Sequence, residues 1–371
     1  MTVGQSPYVV AVNPTTNTVY VANQGDGTVS VIDGSTNTVT NTIPVGNQPS
    51  GIAVNPTTNT VYVTNSMDST VSVIDGSTNT VTNTIGLPPN VDPIDIAVNP
   101  TTGLVFVASY LYGSVYVISD TMNSIITNLT SSGSSDEAGM AVNPTTNTIY
   151  LGSYNGGGLS VINSTTEVNL GLFATGASIS TVAVNPSTNT VYAGAGAFGS
   201  PSLAVIDGKS NTVTTVLNAG LGVDGVAVDP STNTIYATSD ANDTLDAISG
   251  TTNTVIETLN LSGPTGVAVN PTTGVVYITD SFSNKLYVVG GPRSPTTATT
   301  ASSTTSQGTT TTTTQTSTSS STGGGGGGVP EFPYQFATAA VFTVLLAASY
   351  LLVRRRASLK GSASQEGPAR L

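Results

Sequence analysis

The sequence predicts an all-β fold: a seven-bladed β-propeller over residues 1–290, followed by a disordered stalk and one C-terminal transmembrane helix. Three observations lead to this expectation. One phrase recurs seven times, four strand-like runs fill each repeat, and the composition changes abruptly after residue 290. Repeats of this length are typical of propellers and solenoids, so they fix the architecture of the first part of the chain.

The recurring phrase is A-V-N-P-[ST]-T, in which Asp replaces Asn once. Successive copies lie 42, 44, 44, 42, 44 and 41 residues apart. A β-helix has much shorter rungs and a sandwich domain needs about 100 residues. The period therefore predicts seven propeller blades, closed into a ring that leaves few open edges. The prolines of the phrase are Pro14, Pro56, Pro100, Pro144, Pro186, Pro230 and Pro271.

One clear copy, residues 50–88, shows four runs rich in Val, Ile, Thr and Tyr, separated by turn-forming residues. Its first three runs, Ile52–Val54, Val61–Val63 and Val71–Ile74, are almost entirely apolar, which is typical of strands covered on both faces. The fourth, Val81–Ile85, alternates apolar and polar residues, as an outer strand with one wet face does. Each blade is therefore expected to contain four strands.

The two ends of this region match parts of one blade. Met1–Pro7 aligns with Ile43–Pro49 at the end of a fourth strand, and the seventh repeat stops after its third strand, at Val289. Propeller rings usually close by combining N- and C-terminal strands, so we expect residues 1–4 to lie beside that strand. We also expect a longer gene product to supply the rest of the outer strand and a secretion signal.

The second run of the repeat adds a recognisable motif, because Tyr62-Val63-Thr64-Asn65 spells YVTN and the other repeats contain drifted copies. With its flanking phrases, the region 1–290 resembles the YVTN-type β-propeller proteins, which are similar to archaeal surface-layer components. The resemblance implies a propeller whose motif residues are structural. The fold also resembles lactonase-like and NHL-type propellers, some of which are enzymes, so fold alone does not decide function.

The composition of the chain disfavours several classes of partner and of catalytic site. Residues 1–290 contain two lysines and eighteen carboxylates, a formal net charge of −16. This charge repels nucleic acid and suits cations, glycans or neutral partners. The whole chain lacks His and Cys, which removes the usual zinc ligands, the commonest general base and the thiol nucleophile.

The C-terminal part predicts display on a membrane. Residues 291–330 are rich in Ser, Thr and Gly and are expected to form a disordered stalk. Phe336–Val353 is uncharged and is followed by three arginines, which predicts a transmembrane helix with residues 357–371 as a cytoplasmic tail. The segment 331–356, together with Pro330 directly before it, resembles the PEF-CTERM sorting signal of archaea, whose motif here is Pro330-Glu331-Phe332. The resemblance implies processing by an archaeosortase-type transpeptidase.

Several carboxylates are candidate ligands or catalysts. Asp240, Asp243 and Asp280 follow second strands, with Asp26, Asp68 and Asn242 at similar places, and such oxygens suit Ca²⁺, although isolated loop acids are often only solvated. Asp33, Asp75 and Asp207 precede glycines and are expected to cap turns rather than to form a ring of cation ligands. A further group precedes first strands, near the expected channel mouth, and a pair among them could perform acid–base catalysis. Its members are Asp92, Asp95, Asp136, Glu137 and Asp224.

Two other groups of side chains suit a surface protein. Exposed aromatic residues in one set of loops could bind a glycan or a protein, with loop packing as the alternative. They are Tyr110, Tyr112, Tyr154, Phe198 and Phe282. Glycosylation motifs begin at Asn128, Asn163, Asn242 and Asn260.

These observations lead us to expect a non-enzymatic propeller at the cell surface, extracellular and held by its C-terminal helix. It would act in binding, adhesion or cell-envelope structure, with protein or glycan partners and no cofactor unless loops bind Ca²⁺. The alternative is an extracytoplasmic enzyme of lactonase or lyase type.

Overall fold

The computed structural model describes residues 1–111, 113–131, 137–154, 157–175, 177–195 and 203–290, all within one compact unit. The predicted stalk, the transmembrane segment Phe336–Val353 and the cytoplasmic tail lie outside the described residues. Every element within those residues is a β strand, and none of their segments has the length and apolarity of a membrane-crossing helix.

Four-stranded antiparallel sheets make up the first six blades, each in chain order. Blade 1 contains β1 (Pro7–Asn13), β2 (Thr18–Asn23), β3 (Thr28–Asp33) and β4 (Thr38–Pro44). Blade 2 contains β5 (Pro49–Asn55), β6 (Thr60–Asn65), β7 (Thr70–Asp75) and β8 (Thr80–Gly86). Blade 3 contains β9 (Pro93–Asn99), β10 (Leu104–Ser109), β11 (Ser114–Ser119) and β12 (Ser124–Thr130).

The remaining blades follow the same plan. Blade 4 contains β13 (Glu137–Asn143), β14 (Thr148–Ser153), β15 (Gly158–Asn163) and β16 (Val168–Ala174). Blade 5 contains β17 (Ile179–Asn185), β18 (Thr190–Ala195), β19 (Leu203–Asp207) and β20 (Thr212–Leu217). Blade 6 contains β21 (Gly225–Asp229), β22 (Thr234–Ser239), β23 (Thr244–Ser249) and β24 (Thr254–Asn260). Blade 7 contains β25 (Pro264–Asn270), β26 (Val275–Asp280) and β27 (Lys285–Gly290).

The first strand of each blade contacts the first strands of both neighbouring blades, and β25 contacts β1, so the seven blades close into a ring. The predicted seven blades are confirmed, and six of them contain the predicted four strands. Because strands within a blade alternate in direction, the turns after first and third strands lie at one end of the ring. We call this end the turn face. The loops after second and fourth strands lie at the other end, which we call the mouth face.

The first residues of the chain complete blade 7, as the alignment predicts. Thr2 forms an isolated antiparallel bridge with Lys285 on the outer side of β27. The Met1 ammonium donates a hydrogen bond to the Leu286 carbonyl oxygen at 2.8 Å, and the Leu286 N–H donates to the Met1 oxygen at 2.9 Å. The chain start therefore lies along the outer edge of β27, beside a sheet of three strands.

The core lies between blades. The tyrosine of each YVTN-like motif is buried, except in blade 3, where Phe106 takes the same place and is also buried. Tyr62 of blade 2, for example, shares a core cluster with Ile96 and Val107 of blade 3. Burying a side chain of this size contributes roughly 2–3 kcal/mol, so these residues are important for joining adjacent blades.

A ladder of buried asparagines joins the blades near the turn face. The Asn that ends a first strand accepts the main-chain N–H two residues later through Oδ1, as Asn55 does from Thr57 at 3.0 Å. Its Nδ2 donates to a side-chain oxygen of the next blade at six of the seven junctions. These bonds join Asn13 to Asn59, Asn55 to Asp120, Asn99 to Asn147, Asn143 to Asn189, Asn185 to Asn233 and Asn270 to Asn17, at 2.7–3.0 Å. This asparagine ladder explains why N-P-[ST]-T recurs.

Two junctions differ from the others because the asparagine that accepts or donates the bond is replaced. In blade 3 the acceptor position is Gly103, at φ +67°, and Asp120 fills the space that a side chain would occupy there, so Asp120 accepts from Asn55 instead. In blade 6 the donor position is Asp229, whose carboxylate accepts from Ser231 and Thr232. An ionised carboxylate has no N–H to donate, and the facing position in blade 7 is Gly274.

Candidate functional site

The chain departs from its own repeat where the first strands reach the mouth face. The second position of these strands, or the residue before a shorter strand, is different in most blades, and it includes one large aromatic side chain and one acid. The residues there are Tyr8, Ser50, Ile94, Ala138, Ser180, Asp224 and Thr265. The next position holds Asp95 in blade 3, where the other blades have Val, Gly or Thr.

Tyr8 lies at the mouth-face end of β1, whose neighbours are the first strands of blades 2 and 7. Burial among the blades raises the pKa of its phenol, and the negative charges of Asp224, Asp95 and Asp240 raise it further. Asp95 belongs to blade 3 and the other two to blade 6, on opposite sides of blade 1, and the first strands of all the blades contact one another around the ring. The Tyr8 side chain is nonetheless 46% exposed, which we attribute to the open channel.

Asp95 places a fixed carboxylate at the mouth. Its Oδ1 accepts the Ile96 N–H at 2.8 Å, and its Oδ2 accepts the Met140 N–H of blade 4 at 2.7 Å. Burial raises the pKa of this half-buried carboxyl to about 6, while the two N–H groups act in the opposite direction. The group is therefore mostly ionised at pH 7 and cannot easily change its position.

Asp224 forms a pair with Asp240 in blade 6. The Asp224 Oδ2 accepts the Asp240 N–H at 2.7 Å. Burial raises the pKa of Asp224 to about 7, the N–H opposes this shift, and the Asp240 carboxyl adds to it. The Asp224 side chain is exposed to solvent, so solvent screening limits the free energy associated with this pKa shift.

Glycines bring the first strands close together at this end. A Cβ atom on Gly266 would lie 2.5 Å from the Tyr8 carbonyl oxygen, and one on Gly225 would lie 2.6 Å from the Thr265 oxygen. These distances are far below a normal contact. The glycines therefore permit a narrow ring of strands, which fixes the positions of the mouth side chains.

The mouth face also exposes large apolar side chains. They come from loops of four different parts of the ring and are Met67 (46% exposed), Tyr154 (42%), Leu221 (44%) and Phe282 (69%). Among the described loops and turns of the turn face, Met122 is the only large apolar residue that is exposed to a similar degree. We call the four residues the apolar rim.

The predicted metal-binding acids are not brought together. Asp280 is fully buried, and its Oδ1 accepts the N–H groups of Phe282 and Ser283 at 3.1 and 2.9 Å. Asp243 Oδ1 accepts the Gly263 N–H at 2.8 Å. Over the described residues, no group of three acids could hold a metal ion.

The equivalent acids and amides of other loops also accept main-chain hydrogen bonds. Each accepts one main-chain N–H from the loop that enters the first strand of the same blade or of the next. The acceptors are Asp26 for Gln5, Asp68 for Asn47 and Asn242 for Leu221. On the turn face, Asp33, Asp75 and Asp207 cap turns as predicted, and the N–H bonds hold their carboxyl pKa values below the usual range.

The other sequence candidates have different surroundings. Tyr110 is half-buried, Tyr154 and Phe282 are exposed, and Tyr112, Phe198 and Asp136 lie outside the described residues. Among the glycosylation motifs, Asn128 and Asn260 are exposed on outer strands and Asn242 is exposed in a loop. Asn163 is half-buried, and its Oδ1 accepts the Thr165 N–H at 2.9 Å. Asp92 is buried in the loop before β9, and Glu137 begins β13.

Sequence reasoning missed Tyr8, although a signal was available. Aligning the seven copies shows a large aromatic residue at one position where the other blades have small, aliphatic or acidic residues. A break in an otherwise regular repeat indicates a residue that the blade structure itself does not require. The same test singles out Asp95 and Asp224.

Comparison with known proteins agrees with this architecture. A search of curated proteins found no match. Among solved structures, a chain of the Kuenenia stuttgartiensis hydrazine synthase is similar, with a TM-score of 0.69 and 17% identity over 77% of this chain and 96% of that chain. At this identity the likeness concerns the fold alone. The model of the YNCE-like β-propeller family matches residues 4–294, well over half of the sequence, and the chain therefore belongs to that family.

Proposed function

We propose that this protein is a non-enzymatic, cell-surface propeller that binds partners through its mouth face, in adhesion or in cell-envelope structure. The C-terminal helix Phe336–Val353 would anchor it, with the propeller outside the cell. The resemblance to archaeal surface-layer components and to the PEF-CTERM signal supports this location. The basic cluster after the helix supports the orientation, because such clusters stay on the cytoplasmic side.

One observation carries the binding role. The residues that break the repeat gather at one mouth of the channel, and main-chain N–H groups hold the carboxylates of Asp95 and Asp224. Groups held in this way present oxygen atoms at fixed positions to a ligand. Carboxyl groups that are held in place suit recognition, because a binding site requires preorganised polar groups.

A second candidate function is an enzyme of lactonase or lyase type. The pKa of Asp224 is raised to about 7, where a general acid or base works best at neutral pH. Its neighbour Asp240 could serve as the second carboxyl of a catalytic pair. The chain has no histidine or cysteine to complete such a site.

The full-length protein tests both functions. Binding to a glycan array and to whole cells, with and without Ca²⁺, is expected to fall when Tyr8→Ala and Asp224→Asn are combined. It should be unchanged in Met122→Ser, the turn-face control. Turnover of lactones or uronides that disappears in Asp224→Asn would instead establish the enzyme, and unchanged binding in the double variant would exclude the mouth as the binding surface.

Location has its own test. Labelling reagents applied outside intact cells are expected to reach the propeller and not residues 357–371. Mass spectrometry of the native C-terminus distinguishes cleavage near Pro330-Glu331-Phe332 from a permanent transmembrane anchor, which would retain Leu371.

A further inference from the structure

We infer that the mouth face docks a polypeptide segment that presents one basic side chain between apolar residues. The basic group would enter the mouth beside Tyr8, and the apolar neighbours would lie on the apolar rim. This inference rests on the proposed binding function and adds the chemistry of the partner.

The first step concerns charge. None of the seven first strands contains Lys or Arg. The two lysines of residues 1–290 are Lys209, in a turn of the turn face, and Lys285. Lys285 is at the mouth face, but it begins a third strand, two strands away from the first strand of its blade. The carboxylates at the mouth are therefore not compensated by a cation on the strands that line it. A partner with a positive group would supply the missing charge.

The second step concerns the aromatic group. The Tyr8 side chain is 46% exposed at the mouth-face end of a first strand, the same end at which main-chain N–H groups hold the carboxyl groups of Asp95 and Asp224. An ammonium or guanidinium group beside it would gain both carboxylate contacts and an attraction to the ring face. Anionic groups would be repelled by the same charges.

The third step concerns the apolar rim. Exposed Met, Leu, Tyr and Phe side chains on one face are typical of a protein interface, where aromatic residues and methionine are enriched. Phe282 is the most exposed large apolar residue among those that the structure describes. A partner that only carried charge would leave this surface in water, so the partner is expected to present apolar groups beside its cation.

These features favour a polypeptide over other partners. A glycan could stack on the aromatic rings of Tyr154 and Phe282, but it would leave the aliphatic side chains of Met67 and Leu221 without an apolar partner. A nucleic acid would be repelled by the negative charge of the propeller. Only a polypeptide combines a cation with flanking apolar side chains in one extended segment, and docked segments of this kind use a few anchoring residues.

Binding of short peptides to the full-length protein tests the inference. The probe is Gly-Phe-Lys-Leu-Gly with blocked ends, and the controls replace its Lys by Glu or its Phe and Leu by Ser. Isothermal titration calorimetry or fluorescence anisotropy should detect the probe at up to about 1 mM, with at least about tenfold weaker binding of each control. Asp224→Asn and Phe282→Ser should each lower the affinity for the probe by about threefold to tenfold. Met122→Ser should leave the affinity unchanged.

Acidity provides a second readout. Lowering the pH from 8 to 5 should weaken binding, because the Asp224 and Asp95 carboxyls, with pKa values of about 7 and 6, become neutral. Asp240 and the Tyr8 phenol are the other titratable groups that face Asp224. In Asp224→Asn the pH effect should be smaller. Equal binding of the Lys and Glu peptides, or equal binding by wild type and Phe282→Ser, would overturn the inference.

The two proposals can fail separately. If whole cells or glycans bind in a manner that depends on Tyr8 and Asp224 while the Lys peptide does not bind, the polypeptide inference is wrong and the binding function stands. If neither the peptide nor any cell or glycan binds at the mouth, both proposals are wrong. Circular dichroism of each variant shows whether it has folded.

Discussion

The two ends of the ring are built from the same strands but obey different rules. At the turn face, equivalent positions hold nearly the same residue in every blade, and their polar atoms bond to one another through the asparagine ladder. At the mouth face, equivalent positions differ from blade to blade, and Tyr8, Asp95 and Asp224 lie at the mouth-face ends of first strands. Regularity marks the residues that hold the ring together, and irregularity marks those available for recognition.

Each side of this comparison can be tested by mutation. Changes on the turn face are expected to alter stability, and changes on the mouth face are expected to alter binding or pH dependence.

The largest effect should come from the ladder. Asn143→Ala removes a bond to Asn189 at 2.7 Å and the cap on the Thr145 N–H, both at a fully buried position. Losing two hydrogen bonds there should cost about 2–4 kcal/mol of unfolding free energy. Urea denaturation followed by circular dichroism measures the loss. The control Asn128→Ala, at an exposed position, should change stability by less than about 0.5 kcal/mol.

A smaller effect is expected from the mouth and depends on pH. The folded-state pKa of Asp224 lies above the ordinary value, so its neutral form favours the folded state, and this stability is lost as the pH rises through about 7. Asp224→Asn removes the charge and keeps an oxygen for the Asp240 N–H. The variant should lose less stability than wild type between pH 5 and pH 8, by less than about 1 kcal/mol after solvent screening. If the unfolding free energies of the two proteins change with pH in parallel, the pKa of Asp224 is not raised in the folded state.

Two buried tyrosines give a still finer comparison within the repeat. The Tyr20 hydroxyl donates a long hydrogen bond of 3.4 Å to Asn79, whereas the equivalent Tyr62 hydroxyl is buried without a hydrogen-bond partner. Tyr20→Phe should therefore cost about 0.5 kcal/mol, and Tyr62→Phe should be neutral or stabilising. Thermal denaturation of the two variants side by side measures the difference. A larger loss in Tyr62→Phe would contradict the prediction.

The smallest effect on stability is expected at the apolar rim. Phe282 is 69% exposed, so Phe282→Ser removes little buried surface and should change the unfolding free energy by less than about 0.5 kcal/mol. Its effect should be visible only in peptide binding. A large loss of stability would place Phe282 among the structural residues and weaken the comparison.

The sequence predicted most of the ring because the signals for strands and turns are local. Alternating residues, Asn-Pro and Asp-Gly turns and the YVTN motif lie within a few residues of the contacts they predict, as with Asn55 and the N–H of Thr57. Even the closure of blade 7 followed from aligning Met1–Pro7 with another repeat. The prediction of a transmembrane helix and a stalk concerns residues that the structure does not describe.

The site could not be predicted in the same way. Tyr8, Asp95 and Asp224 are separated by more than 80 residues along the chain, and only closure of the ring brings them to one mouth. The loop acids proposed as metal ligands have local hydrogen-bond partners that were not predicted. Asp280 and Asp243 already use oxygen atoms to accept main-chain N–H groups, which the pattern of acids alone does not reveal.

The direction of the asparagine ladder has a consequence for the history of the chain. Each asparagine Nδ2 donates its hydrogen bond to the following blade. The bond from Asn270 to Asn17 crosses the boundary between the last and first repeats in the same direction as the others. The ladder has no first or last member at that boundary. A circularly permuted chain, with residues 1 and 290 linked and new ends in the loop at residues 45–48, would keep all six bonds. Gene duplication and permutation can therefore move the ends of such a ring without changing how its blades are joined.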